Sequence, residues 1–316
     1  MRRGRRRSAG RAVALGVRHP ITGMARLLLA ALLLLSAAAE PALAQRELNE
    51  RHAAPPRGAI RIHHFAGSIR VTGWDRDSIV VTGVARERGG DRFYISVGAN
   101  GSKLGLWPQR SDSLPPSDII VRVPHGSSVW VKTVDASITL QGVTGGVDLY
   151  SVAGRIEVAG NPRELYAESM SGAISADVVT RAVRLKTASG AIDLAGRIDD
   201  TEAQTVSGTL RVRGGAIGRG RFESVDGDVL YTGGVGRTAD LDFVSHAGAV
   251  RLDLPAATAA DVSVNSYEGA LTSGFESRVL QASTGFKGRD YTTTLNGGGA
   301  RISVRTFKGD VVLRPR

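Results

Sequence analysis

A chain of 316 residues with 42% hydrophobic content and no cysteine can bury a sizeable apolar core, but neither disulfides nor thiolate metal sites can reinforce it. The formal charge of +11 and the pI near 10.6 would suit a nucleic-acid partner. The first 44 residues, however, hold 8 of the 41 Lys and Arg and 1 of the 30 Asp and Glu, which leaves 33 basic against 29 acidic residues elsewhere; that net +4 excludes nucleic-acid binding as a reading of composition.

In chain order, residues 1–44 read as a signal peptide. Arg2, Arg3, Arg5, Arg6, Arg7, Arg11, Arg18 and Arg26 precede an apolar run from Leu27 to Leu35, and Ala42-Leu43-Ala44 offers the small residues of a cleavage site. Cleavage after Ala44 leaves Gln45 first and no stable membrane span, since the apolar run is shorter than the roughly 20 residues that cross a bilayer. Met24 opens a more ordinary leader of the same kind. The protein is therefore expected to be exported, to the periplasm or outside the cell. Residues 45–57, with Pro55-Pro56 and many charges, read as a flexible tether.

Residues 58–128 read as an irregular N-terminal β cap. Strand-like runs lie at Ala59–Ile62, Ser68–Thr72, Ser78–Val84, Arg92–Val97 and Asp118–Val123, and their expected role is to cover the open edge of the first repeated coil. Residues 129–316 are internally repetitive. Thr133-Val134-Asp135-Ala136-Ser137-Ile138 recurs as Ser151-Val152-Ala153-Gly154-Arg155-Ile156 and as Ser169-Met170-Ser171-Gly172-Ala173-Ile174. Further copies start at Thr187, Thr205, Ser224, Ser245, Ser266 and Thr306. From Ala136 through Gly154, Gly172 and Gly190 to Gly208 the step is 18 residues; it then becomes 19, 21, 21 and 40. The last gap has room for two coils, or for one coil and an inserted hairpin.

Around each copy apolar residues alternate with polar ones, the period of a strand. Val147, Leu149 and Ser151 face one way and Asp148 and Tyr150 the other; past the corner, Ile156 and Val158 point in and Arg155 and Glu157 out. The glycine is expected to supply a positive φ at the corner. The fold class is therefore all-β: a single-domain parallel β-solenoid of about 18–21 residues per coil with aliphatic residues inside. The Ser/Thr column reads as structural, its hydroxyls bonding one another and the corner backbone. Outward columns, such as Lys132, Tyr150, Glu168, Lys186, Gln204 and Glu223, mix charges like a solvated face. Arg314-Pro315-Arg316 is expected to blunt the final edge of the stack.

Three phrases carry a family resemblance: Gly67-Ser68-Ile69-Arg70-Val71-Thr72-Gly73-Trp74-Asp75, Ile119-Ile120-Val121-Arg122-Val123-Pro124, and Gly297 through Thr306 to Gly309-Asp310-Val311. Together with the repeated Ser/Thr-x-x-Gly-x-Ile they resemble the DUF4097 family of bacterial β-solenoids, over nearly all of the chain beyond the leader. The resemblance implies the solenoid fold and an adhesin label, and it transfers no binding residue; Ala136 departs from the pattern at the first corner glycine.

No catalytic, cofactor-binding or metal residue is assigned. Asp226 and Asp228 flank Gly227 near Glu223, with Arg211, Arg213, Arg219 and Arg221 close in sequence. That mixture resembles the charged clusters of β-helical carbohydrate-active enzymes, yet Asp beside Gly is also ordinary turn chemistry and no long loop builds a cleft there. His52, His63, His64, His125 and His246 are scattered rather than spaced for a metal. Gly297 to Gly299 lacks the Lys and the helix of a phosphate loop and reads as a turn. The function expected is a non-catalytic interaction module of the envelope or cell exterior, adhesin-like, with an unknown glycan or protein partner and a surface suited to multivalent contact. Two alternatives stand beside it: a scaffold that self-associates through its terminal coils, and a carbohydrate-active enzyme.

Overall fold

The structure, a computed structural model, describes residues 44–98, 101–110, 112–276, 279–283 and 288–316; the leader assigned to 1–44 lies outside the described residues apart from Ala44. Twenty-one strands succeed one another with no helix among the described residues. They are β1 (Ala44–Ala53), β2 (Ala59–Trp74), β3 (Ser78–Glu87), β4 (Tyr94–Gly98), β5 (Gly101–Leu106), β6 (Ser117–Pro124) and β7 (Ser128–Gln141). The middle of the chain forms β8 (Gly146–Ser151), β9 (Ile156–Gly160), β10 (Glu164–Ser169), β11 (Ile174–Thr187), β12 (Ile192–Thr205), β13 (Leu210–Ser224) and β14 (Val229–Ser245). The last third adds β15 (Val250–Leu254), β16 (Ala260–Ser266), β17 (Leu271–Ser273), β18 (Leu280–Ser283), β19 (Arg289–Leu295), β20 (Ala300–Thr306) and β21 (Val311–Pro315).

Each coil is a segment that runs into the Ser/Thr-x-x-Gly corner (the A side) and one that leaves it (the B side), and like positions stack in parallel register. On the A side one unbroken column runs Leu104, Ile62, Val131, Leu149, Ala167, Leu185, Ala203, Phe222, Phe243, Val304 and Val264. Its counterpart on the B side runs Ile119, Ile69, Ile138, Ile156, Ile174, Ile192, Leu210, Val229, Val250 and Val311. All of these are buried and belong to one core, so the parallel β-solenoid is held by ladder hydrogen bonds along its axis and apolar burial between its two sides. Where the core swells, Phe222 and Phe243 of the A side stack at 5.0 Å and Tyr231 of the B side meets them tilted at 6.1 Å and edge-on at 5.7 Å, and the smaller Ala203 precedes the two Phe in their column.

The corner glycines have a reason other than the one expected from sequence. Gly154, Gly172, Gly190, Gly208, Gly227, Gly248, Gly269 and Gly309 are absent from the positive-φ glycines. What they need is room: a Cβ on Gly190 would lie 2.1 Å from the Gly172 carbonyl oxygen, and one on Gly208 1.8 Å from that of Gly190. The coils touch backbone to backbone at this corner, and any side chain would wedge them apart. Ala136 stands at the start of that column, above Gly67.

The hydroxyl column serves the same corner. Ser169, Thr187 and Thr205 accept from the amides of Gly172, Gly190 and Gly208 (2.9–3.0 Å), whereas Thr133, Ser245, Ser266 and Thr306 donate to the carbonyls three residues on. Of the two kinds of partner expected from sequence, these hydroxyls take the corner backbone and not one another.

Three expectations about the ends are corrected. The supposed tether at 45–57 is mostly strand: β1 pairs antiparallel with β3 along its whole length, and Leu48 is buried. Its pairing is made by backbone groups, which a charged composition does not reveal. Within the supposed cap, β2 is a full coil in register with β7 from Ala59 to Thr72, and His64 occupies the place of the Ser/Thr. The strands that do cap are antiparallel: β3 on β6, β1 on β3, and β4 on β5.

At the other end the final coil, β20 and β21, is not terminal. It lies between the coil made by the end of β14 with β15 and the coil made by β16 and β17. Pro315 therefore pairs with Leu254 inside the stack and blunts no edge. The 40-residue gap from Gly269 to Gly309 holds β17, the antiparallel strands β18 and β19, which close the A side over β16, and β20.

Candidate functional site

The charged cluster singled out from sequence does not assemble. Arg211 and Arg213 project from the B side, where both pair with Asp193 (3.8 and 3.6 Å). Arg219 and Arg221 project from the A side, toward Asp200 (3.8 Å), and toward Glu223 (3.2 Å) and Asp242 (3.0 Å). Asp228 sits at the corner and accepts from the Ala249 amide of the next coil at 2.9 Å, as Asp310 does from Ala270; Asp226 is an exposed corner residue. These acids tie coils together. The histidines are dispersed: His52 lies by Glu50, His125 by Asp75 and His246 against Phe307. No group of three metal-ligating side chains occurs among the described residues. Gly297 to Gly299 all have positive φ in the turn before β20.

What the structure does bring together is on the outer A face near the capped end. An open groove of about 930 Å3 crosses β5, β2, β7, β8, β10 and β11. Its floor is a register row, Lys103, Arg61, Trp130, Asp148, Tyr166 and Arg184, each directly beside the next. The 18-residue spacing from Trp130 to Arg184 makes this row, so the pattern is readable in the repeat; the sequence reading traced only the neighbouring row from Lys132 and missed it. That neighbouring row is realised, with Lys132, Tyr150, Glu168, Lys186, Gln204 and Glu223 stacked in register.

The cap supplies the rest. Tyr94 of β4 shares a 3.0 Å hydrogen bond with His63 Nδ1, and the His63 ring meets Trp130 at 5.1 Å and Trp107 at 6.0 Å, both edge-on. Lys132 Nζ lies 5.9 Å from the Trp107 ring and 5.7 Å from that of Tyr150, the cation–π distance. Two of the three Trp and three of the six Tyr of the chain thus gather around one surface. Inward alternation leaves none of them in the core, so the fold does not account for them.

The groove is electrically polar along its length. Arg61 and Lys103 make no ion pair with a described carboxylate. Partial burial and the charges of Lys132, Lys103 and Arg61 hold the His63 imidazole below its ordinary value. Toward β10 the lining is mixed, with Arg163 and Arg184 paired to Glu164 and Glu202; partial burial and the nearby Glu168 push the Asp148 carboxyl upward, and the Tyr166 hydroxyl donates to Glu168 at 3.0 Å. Beyond the groove the outer A face neutralises itself, with Glu202 shared by Arg184 and Lys186 and Asp242 shared by Arg221 and Arg305.

A second surface runs along the corner, where Val152, Met170, Val206, Val225 and Phe307 stand exposed. It ends in a ring stack of His246, Phe307 and Tyr267 at 4.9 and 4.6 Å. This ridge offers apolar area without directional groups.

Among the described residues no helix is long and apolar enough to cross a membrane. Three solved structures are similar to this chain. One is described as a “putative adhesin from Parabacteroides merdae”, 12% identical with a TM-score of 0.50 over 84% of this chain and 95% of that one. The second is a “putative lipid binding protein from Parabacteroides distasonis”, 11% identical, TM-score 0.46, over 87% and 98%. The third is a “putative adhesin” from Bacteroides fragilis, 9% identical, TM-score 0.44, over 84% and 96%. At such identities the first likeness concerns the fold alone. No curated protein matches. The family model of Toastrack DUF4097 matches residues 68–314, from within β2 to within β21, and the chain therefore belongs to the Toastrack DUF4097 family.

Proposed function

We propose that this is an exported, non-catalytic interaction module of the cell envelope or cell exterior, adhesin-like in action, and that the outer A face is its contact surface. The observation that carries the reading is the register row from Lys103 to Arg184: half-buried aromatic side chains, and the cations Arg61 and Lys103 without an ion pair, held at the strand spacing on a rigid ladder, with no part in the core. A ladder of this kind places many modest contacts at fixed distances, so affinity accumulates by multivalency. The neighbour of like fold from Parabacteroides merdae carries an adhesin name, in agreement with this reading. Self-assembly through terminal coils is disfavoured by the antiparallel strands laid over both sides of the first coil and over the A side of the last.

The test is a screen of the purified protein against immobilised glycans and envelope proteins, with light scattering and a reducing-end assay on the same samples. Saturable binding by a monodisperse, non-hydrolysing protein is the expected result. Filaments without binding would replace the reading by the scaffold, and release of reducing ends would make the groove an active site.

A further inference from the structure

We propose that the groove around Trp130 is a binding site for an acidic saccharide, whose ring faces lie on Trp130 and Tyr166 and whose acid group is met by Arg61 and Lys103. The assignment rests on the interaction-module reading and names the ligand class of its site.

The argument starts from spacing. Trp130 and Tyr166 flank Asp148 on one row, two interstrand steps or about 9.6 Å apart. The whole groove crosses six strands, about 24 Å at the same spacing. An extended ligand with successive flat rings fits such a strip better than a compact one does. Half-exposed Trp and Tyr present faces that are apolar but not greasy enough to bury fully, which suits rings that are apolar on one face and hydroxylated at the rim.

Charge narrows the class. Arg61 and Lys103 form an electropositive end with Lys132 beside it; guanidinium and ammonium groups that lack an ion-pair partner can make charge-assisted hydrogen bonds to a ligand carboxylate. Toward β10 Asp148 and Glu164 line the groove and Glu168 adjoins it, while Arg163 and Arg184 of the same lining are taken up by Glu164 and Glu202. Carboxylates accept from hydroxyl donors and repel phosphates. A single-stranded nucleic acid would meet stacking rings and cations here, but its backbone charge continues along every residue and would run onto these three acids. A saccharide with acid groups at one end and hydroxyls at the other satisfies both halves.

The experiment is calorimetric titration of the purified protein with cellotetraonic acid, whose single carboxylate stands at one end of a run of neutral rings, with neutral cellotetraose, and with an oligothymidylate of similar length. The acid is expected to bind, with neutral cellotetraose about tenfold weaker, the loss of one charge-assisted contact. Trp130→Ala and Arg61→Ala should each weaken binding about tenfold, Trp130→Phe should restore most of it, and Arg155→Ala, outside the groove, should change nothing. Thermal melts confirm that each variant folds. Saccharide affinity indifferent to Trp130→Ala and Arg61→Ala overturns the assignment, as does tighter binding of the oligothymidylate. If the cellotetraonic acid fails while another envelope ligand from the screen binds, the groove assignment falls and the interaction module stands; if nothing binds in either assay, both fall.

Discussion

His64 shows how one residue can mark the boundary between repeat and cap. It takes the Ser/Thr position of its coil, directly beside Thr133, and is buried. Its Nε2 lies 2.9 Å from the Ser117 carbonyl oxygen. A carbonyl only accepts, so Nε2 carries the proton, and the buried Nδ1 makes no hydrogen bond of ordinary geometry. Burial holds this imidazole below its ordinary 6.5, outweighing the raising effects of the Ser117 bond, Asp118 and the Ala66 backbone. The sign comes from linkage. Above pH 6.5 both folded and unfolded chains are neutral at this site. As pH falls below it the unfolded chain takes up a proton that the folded one refuses, so stability is lost on acidification. The melting temperature should fall between about pH 7 and pH 5, and His64→Gln should reduce that slope, the remainder belonging in part to His63, which is lowered in the same direction. An unchanged slope in the variant would assign the effect elsewhere.

The recurring element is the corner, where one backbone rests on the next. Because a Cβ at position 190 would lie 2.1 Å from the Gly172 oxygen and 2.8 Å from the Thr187 hydroxyl, neither of which is a flexible chain end, Gly190→Ala should cost about 3 kcal/mol, at the upper end of overpacking. Ser189→Ala, one residue earlier and exposed, should stay within about 0.5 kcal/mol. Denaturant unfolding of the two variants measures the difference, and equal stabilities would mean that the coils can part at the corner without loss. The same contact explains why the glycine recurs even where the coil lengthens from 18 to 21 residues: extra residues enter the far bend, as between Val235 and Asp240 of β14, where the register shifts, and leave the tight corner intact.

Across the whole molecule, spatial order departs from chain order at both ends. The β2 coil lies inside the later β5–β6 coil, and the β20–β21 coil lies inside the earlier β16–β17 coil. In each case the chain makes the outer coil and an antiparallel cover together, over both sides at the first end and over the A side at the other, so a parallel edge that could template further pairing is closed there from within the chain. The order is directly testable because the protein has no cysteine. Val244→Cys with Arg305→Cys joins positions paired in register and should oxidise readily. Val244→Cys with Asn265→Cys joins positions that a stack in chain order would make neighbours, but here Arg305 stands between them, about 9.6 Å across and beyond disulfide reach. Mass spectrometry of the oxidised pairs should show the bridge in the first and not in the second; the reverse would restore the simple order.

What the sequence determined by itself is everything that repeats locally: strands from the period of two, coils from the 18-residue step, the inward aliphatic columns, the outward row from Lys132, and the Ser/Thr-x-x-Gly corner. Parallel stacking converts a sequence period into a spatial column, so these features are legible without coordinates. The identity of the cap was not legible, because β1 is polar and pairs by backbone alone, and His64 hides the repeat in β2. Nor was the placement of the last coil, since a 40-residue gap is compatible with either stacking order and only strand pairing decides. The groove lies between these cases. Trp130, Asp148, Tyr166 and Arg184 obey the repeat, whereas Arg61, His63, Lys103, Tyr94 and Trp107 come from segments out of phase with it, and tertiary pairing of β2 and β5 against β7 is what sets them beside Trp130.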